Sequence, residues 1–278
     1  MSANDASPFG LEEKSVARTS TGWRSSLTSQ PYEWDASLGR QRHILDREAG
    51  TSTTDESGLL CYWRDDSPIV ATPSFRRSFN LALKRVFDVV VASLAILALS
   101  PVFLVVAVAL KLTDRGPVLF RQSRTGLDGK PFEILKFRTM YADRCDDSGV
   151  VQTVEGDDRV MPLGAILRRT SVDELPQLFN VVAGQMSLVG PRPHVSGQLA
   201  AGKPYGELVP FYDSRYGMRP GLTGWAQANG FRGPTEDAKR AMSRITHDMA
   251  YIQNFSFLLD LRILIKTVAR EFFNGSGF

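Results

Sequence analysis

The sequence predicts an α+β fold that is mostly helical. Its parts are a membrane-embedded re-entrant helix, a small β-hairpin and amphipathic helices at the membrane interface. Three stretches carry the prediction. Val89 to Leu110 is a run of 22 residues without a charge, with basic residues on both sides. Val118–Gln122 and Phe132–Phe137 are rich in strand formers and flank Asp128-Gly129, a strong hairpin signal. Thr235 to Phe273 carries helical patterning, polar at first and then apolar with basic punctuation.

At 278 residues the chain has length for one large domain or two small ones. The net charge of +3 hides an asymmetry, because residues 1–75 hold 7 Lys/Arg against 11 Asp/Glu, or −4, which leaves +7 for residues 76–278. A basic body calls for an anionic partner, either a phosphate-bearing small molecule or an anionic bilayer surface. Nucleic acid is set aside, since no helix-turn-helix, zinc spacing or aromatic RNA-binding motif is present. Cys61 and Cys145 stand in unrelated contexts, which points to free thiols rather than a disulfide or CxxC metal site. No basic-then-apolar leader opens the chain.

Residues 1–75 show no sustained periodicity and too few apolar residues to offset the entropy of ordering, so a disordered N-terminal extension is predicted. It is read either as a dispensable tail or as a docking segment. Residues 76–278 then form the functional domain. Within it, a straight helix over 89–110 would reach about 33 Å, enough for a bilayer core. Ser100-Pro101 interrupts it, and Pro removes a helix hydrogen bond. Arg76, Arg77, Lys84 and Arg85 precede it while Lys111, Arg115, Arg121 and Arg124 follow, so both ends favour the cytoplasmic face. Entry, a bend at Ser100-Pro101 and return satisfies both facts; a kinked span and a buried core helix are the alternatives.

On the second hairpin strand, Lys136 and Arg138 alternate with Phe137, which predicts two cations on one face, whether a site or a solvated edge. Asp143 to Asp158 reads as an acidic loop and Gly164–Thr170 as a short helix. Arg215 to Gly230 is dense in Gly and Pro, the composition of a backbone-shaped pocket. Thr235 to Asn254 reads as a helix with Glu236 and Asp237 in its first turn. Arg262, Lys266 and Arg270 punctuate an apolar segment that either lies in the membrane interface or packs on the core.

The chemistry concentrates in Arg168 to Pro193. Asp173 and Glu174 adjoin each other, Arg168 and Arg169 precede them, and Gly190-Pro-Arg-Pro193 adds Arg192 on a stiff turn. Ser171-Val-Asp-Glu174 also matches a capping box, which would explain the acidic pair structurally. Pro176 weakens that alternative, since it would fall past the tolerated first turn. Near a helix start Asp173 is favoured as the anion, a nucleophile or metal ligand rather than a proton donor. Two carboxylates among guanidinium groups are the residue types that phosphoryl transfer needs.

Lys136-Phe-Arg-Thr-Met140, Leu167-Arg-Arg-Thr-Ser-Val-Asp-Glu-Leu-Pro-Gln-Leu178, Met186-Ser-Leu-Val-Gly-Pro-Arg-Pro193 and Arg219-Pro-Gly-Leu-Thr-Gly-Trp-Ala-Gln-Ala-Asn-Gly230 follow one another in order. With Ser100-Pro101, they make residues 76–278 resemble the bacterial monotopic phosphoglycosyl transferases, the sugar transferases that initiate exopolysaccharide assembly, in a short form without a multi-span domain. The resemblance implies a re-entrant helix broken at Ser100-Pro101 in the cytoplasmic leaflet of the inner membrane. It implies Asp173 as nucleophile on the β-phosphate of a UDP-sugar, releasing UMP, and undecaprenyl phosphate as acceptor. Glu174 matches the Mg²⁺-binding position; Lys136, Arg138, Arg168, Arg192 and Arg219 match basic substrate-binding positions. Other polysaccharide assembly enzymes are the implied protein partners, and glucose or galactose the leading sugars. Asp157-Asp-Arg-Val-Met-Pro-Leu-Gly164 lacks the Thr usual in the family, which leaves the roles of Asp158 and Arg159 open.

Overall fold

The computed structural model describes residues 51–54, 60–64, 67–68, 75–144, 156–209, 211–233 and 237–274, with 51–68 and 271–274 given by backbone alone. All of them belong to one compact unit, Asp35–Phe278. The expectation for residues 1–50 and most of the Asp143–Asp158 loop lie outside the described residues. Part of the predicted extension is ordered into an antiparallel sheet of β1 (Thr51–Thr54), β2 (Leu60–Arg64) and β3 (Ser67–Pro68). Its central strand is the apolar island around Trp63, with Thr51 opposite Trp63 and Thr54 opposite Leu60.

Helix α1 runs from Phe75 to Thr113, 39 residues with Pro101 inside. It is long and apolar enough to cross a membrane, and only 11% of its most apolar window is buried. Pro101 has no N–H to give the carbonyl four residues back, that of Leu97. The Ser100 hydroxyl donates to that same Leu97 oxygen at 2.8 Å, which replaces the lost bond within the apolar run.

Both halves of α1 are rooted in the domain. In the first, Lys84 Nζ donates to Asp260 Oδ2 at 2.6 Å and to the Val189 carbonyl at 2.9 Å. Asp88 accepts from Ser187 Oγ at 2.7 Å and Leu188 N at 3.2 Å. In the second, Val106 and Leu110 pack with Phe137, Met161 and Leu167.

Strands β4 (Leu119–Thr125) and β5 (Pro131–Phe137) form the hairpin read from Asp128-Gly129, with Leu119 opposite Phe137 and Gln122 opposite Ile134. The turn is a 3₁₀ segment, Leu127–Gly129, in which Asp128 (φ 55°) and Gly129 (φ 73°) both take left-handed geometry. Helix α2 (Pro162–Arg169) and the short α3 (Gln177–Val182) follow. Strand β6 (Ser187–Val189) leads into Gly190-Pro-Arg-Pro193. A tight pair, β7 (Leu199–Ala200) and β8 (Lys203–Pro204), precedes the one-turn α4 (Tyr205–Leu208).

Beyond them β9 (Gly221–Thr223) pairs in parallel with β6, Ser187 opposite Gly221 and Val189 opposite Thr223. Arg215, Tyr216, Met218 and Pro220 of this stretch line a small cleft with Pro191, Arg192 and Pro193, while its glycines also serve close backbone contact. A Cβ on Gly190 would lie 2.3 Å from the Arg219 oxygen, and one on Gly221 would lie 2.1 Å from Gly190 N.

After α5 (Trp225–Ala228), α6 (Ala238–Gln253) fills the core with Ile245, Met249 and Ile252. Asp237 is its N-cap, accepting from Lys239 N and Arg240 N, so the helix starts later than Thr235. Helix α7 (Phe257–Asn274) buries Leu259, Asp260 and Ile263 against the core and leaves Leu258, Ile265 and Val268 exposed, with the exposed Arg262 and Lys266 among them.

Candidate active site

The acidic pair sits on a 3₁₀ turn, Val172–Glu174, between α2 and α3. Ser171 before it has φ 55° and makes no side-chain cap bond, so no capping box forms. Pro176 caps α3 in a helical conformation, and the chain turns twice where one continuous helix start was expected. Glu174 is thereby released from backbone duty. Its Oε1 accepts from Lys136 Nζ at 2.8 Å and from Arg192 Nη2 at 2.8 Å, and Arg192 Nη1 reaches Oε2 at 3.5 Å.

Three pieces of scaffold bring these residues together. Asn180 on α3 accepts from Leu135 N at 2.9 Å and donates to the Glu133 carbonyl at 2.7 Å, which locks α3 to β5 and so Glu174 to Lys136. Arg192 is held from behind: the buried Arg215 donates to the Arg192 carbonyl at 2.6 Å and to Asp248 Oδ2 at 2.7 Å. Finally, Lys84 ties the Val189 carbonyl, three residues before Arg192, to the root of α1.

Asp173 is buried, 8% exposed, and its carboxyl is pushed up to about 6. Burial is the main cause, the Glu174 charge adds to it, and Lys136, Arg168 and Arg192 oppose it. The sequence favoured a helix terminus holding Asp173 as a relaxed anion; in the fold, desolvation outweighs any such effect. Burial would raise Glu174 as well, but Arg192 and Lys136 outweigh it and hold that carboxyl well below the usual range. Two adjacent carboxyls are thus driven apart, Glu174 held well below the usual carboxylate range and Asp173 raised to about 6.

The remaining basic positions divide. Arg168 lies in the last turn of α2, donates from Nε to Thr139 Oγ1 at 2.8 Å and acts on Asp173 through its charge. The Arg138 guanidinium is taken up away from the acidic pair, although its backbone N–H still bonds the Val118 carbonyl at 2.9 Å and continues the ladder. Strand β5 ends at Phe137, and the Arg138 guanidinium bonds Asp114 and the carbonyls of Asp114 and Pro117; none of its hydrogen bonds goes to Glu174. Arg219 is exposed and donates to the Gly184 carbonyl at 2.9 Å. Arg159 pairs with Asp157 Oδ2 at 2.6 Å rather than with Asp158.

A small cleft of about 20 Å³ is lined by Arg124, Ile134, Lys136, Glu174, Gln177, Arg192 and Pro193. Sequence reasoning treated Arg124 only as a flank of the apolar run and gave Gln177 no role. Strand register would have found Arg124: it faces Phe132, Gln122 faces Ile134 and Phe120 faces Lys136, so Arg124 and Lys136 share one side of the hairpin. Burial first, then the nearby Arg192 charge, lowers the Arg124 guanidinium to about 10.

Among the described residues no group of three or more His, Cys, Asp or Glu comes together. Asp173 and Glu174 alone are hard oxygen donors beside a cationic wall. Such a set fits Mg²⁺ when substrate phosphates complete the coordination, as this ion commonly binds.

The description "Bacterial sugar transferase" matches residues 79–274. The chain belongs to that family. This sugar transferase is 52% identical over 199 residues to the Exopolysaccharide production protein PSS of Rhizobium leguminosarum bv. phaseoli, covering 72% of the chain and 100% of that protein. It is 51% identical over 185 residues to a UDP-glucose:undecaprenyl-phosphate glucose-1-phosphate transferase of Caulobacter vibrioides, 66% of the chain and 68% of that protein. A Klebsiella pneumoniae protein of the same description is 44% identical over 213 residues, 77% of the chain. The sugar transferase spans only 43% of that longer relative.

Proposed function

We propose that this sugar transferase moves a hexose 1-phosphate, glucose 1-phosphate first among the candidates, from a UDP-sugar to undecaprenyl phosphate, through a covalent phosphosugar on Asp173. The observation that carries the reading is a buried, basic-shifted Asp173 beside a Glu174 clamped between Lys136 and Arg192. The names of the relatives supply donor, acceptor and sugar. An Asp173 carboxylate oxygen attacks the β-phosphorus; the bond to the α-phosphate oxygen breaks and UMP leaves with that electron pair. The acceptor phosphate oxygen then attacks the same phosphorus and returns the carboxylate. Lys136, Arg192 and Arg168 neutralise charge on the phosphates, while Arg138 and Arg219 support the scaffold. Mg²⁺, held by Glu174 and by substrate oxygens, would polarise the phosphoryl group. Activity that survives a chelator removes this metal role.

Release of UMP rather than UDP separates this reaction from direct glycosyl transfer, and a panel of UDP-sugars with membranes and undecaprenyl phosphate tests it together with the sugar. A non-catalytic scaffold for a polysaccharide assembly complex would release neither. Because the attack needs Asp173 as the anion, the single-turnover rate of UMP release should fall as pH drops through about 6. An ordinary carboxylate would hold the rate to about pH 4. A profile flat from pH 5 to 8 contradicts the assignment.

For topology we propose the re-entrant arrangement at the cytoplasmic face of the inner membrane. Its support is that both ends of α1 are tied to one folded body, through Lys84 and Asp260 at one end and Leu110 and Asp114 with Phe137 and Arg138 at the other. Cysteines introduced near Arg77 and Arg115 should both label from the cytoplasmic side. Labelling from opposite sides means a true span.

A further inference from the structure

The cleft beside Glu174 is short of acceptors. Three cationic side chains line it, those of Arg124, Lys136 and Arg192, and the carboxylate on its wall is Glu174, whose Oε1 already takes two of them. Gln177 is 2% exposed, opens α3 beneath the cleft, and its Nε2 has no hydrogen-bond partner. Arg124 gives Nη2 to Gln122 Oε1 and Nη1, at 3.4 Å, to the Pro193 carbonyl, and its buried Nε has no partner. Arg215 also leaves Nε open, but its charge is neutralised by Asp248 at 2.7 Å. No nitrogen of Arg124 bonds a carboxylate among the described residues.

A buried amide donor left unpaired is destabilising, because its hydration is lost and not replaced, and a guanidinium facing a like charge adds to that. Such a deficit persists where a ligand cancels it. The ligand must bring acceptors, be anionic and place no more than about one oxygen in a space of about 20 Å³. We propose that Arg124 and Gln177 form a subsite for one phosphoryl oxygen of the substrate, on the hairpin side of the Glu174 clamp. The subsite rests on the phosphoglycosyl transfer proposed above. Its oxygen comes from the donor diphosphate or from the phosphate of the lipid acceptor, and the two half-reactions tell these apart.

The test uses the full chain in lipid nanodiscs with UDP-glucose and undecaprenyl phosphate. Gln177→Leu keeps the side-chain volume and removes the donor; Gln177→Glu keeps the shape and adds a repelling charge; Arg124→Gln removes the cation. The KM for one substrate should rise about tenfold with Gln177→Leu and with Arg124→Gln, more with Gln177→Glu, and the melting temperature should not track this order. Arg124→Lys should recover part of the loss. A shift confined to UDP-glucose places the donor diphosphate in the subsite, and one confined to undecaprenyl phosphate places the lipid phosphate there. KM values unchanged for both substrates, with or without a lower melting temperature, overturn the subsite and leave a water or a packing role. Calorimetric titration of UDP-glucose into the Asp173→Asn protein supplies a readout without turnover, in which Gln177→Leu should weaken binding to the same degree if the donor occupies the subsite. Failure of the unmodified chain to release UMP would refute the transfer reaction, whereas normal turnover with insensitive variants refutes the subsite alone.

Discussion

On the covalent route proposed above, Asp173→Asn should stop UMP release from a UDP-sugar, with a loss on the order of a thousandfold or more, the scale seen when a covalent nucleophile is removed. Asn matches Asp in shape, but its amide oxygen cannot carry the phosphosugar. The fold should tolerate it well. Burial is what raises the Asp173 carboxyl, so the folded state is already disfavoured by that charge near neutral pH, and a neutral amide removes the penalty. The expected pair of results is therefore no UMP and a melting temperature equal to or above that of the parent. Near-normal UMP release by this variant would sink the nucleophile assignment, since no unfolding could be blamed for a loss or hidden behind a gain.

Lys84→Met is expected to be the most damaging change away from the acidic pair. The ammonium is buried, donates to Asp260 and to the Val189 carbonyl, and lies 3.9 Å from Asp88. Its removal leaves two buried carboxylates facing each other and a carbonyl without its donor. Breaking one side of such a pair costs about 3–5 kcal/mol, or a melting temperature lower by about 10 °C in a domain of this size. The loss should depend on pH. Burial raises Asp260, with Lys84 opposing. Without Lys84 the carboxyl rises further, so the deficit is largest in alkali and shrinks as acid protonates Asp260. Adding Asp260→Leu to the variant should restore part of the stability, because an apolar pair is near neutral where half an ion pair is not. A variant that melts like the parent at pH 8 contradicts the buried pairing.

Local chemistry made part of this molecule legible in its sequence. Asp128-Gly129 fixed the hairpin because two successive residues must take positive φ there, and few dipeptides do. The uncharged run fixed α1, and Ser100 beside Pro101 announced how the freed carbonyl would be satisfied. The site was different. Lys136, Glu174 and Arg192 are separated by 38 and 18 residues, and no periodicity predicts that they meet. Resemblance brought them together, and the Asn180 clamp and the Arg215 strut are the physical means. Alternation could not foretell that Asp114 and the Pro117 carbonyl, at the entry to β4, would take up the Arg138 guanidinium. The glycines of 215–230 were ambiguous for a related reason: a glycine that admits a ligand and one that admits a neighbouring backbone look the same in one chain.

The root of α1 also sets an order of events during synthesis. Lys84 and Asp88 leave the ribosome long before their partners; Val189 follows Lys84 by 105 residues and Asp260 by 176. Until those partners emerge, the ammonium of Lys84 and the carboxylate of Asp88 have only each other, 3.9 Å apart in the finished fold. The bonds of α1 to β6 become available once residue 189 has emerged, and the tie to α7 once residue 260 has. Chains cut short before Asp260 would lack the carboxylate that pairs with Lys84, the donor to the Val189 carbonyl three residues before Arg192. The support of Arg192 thus reaches, through Lys84, to a carboxylate near the end of the chain.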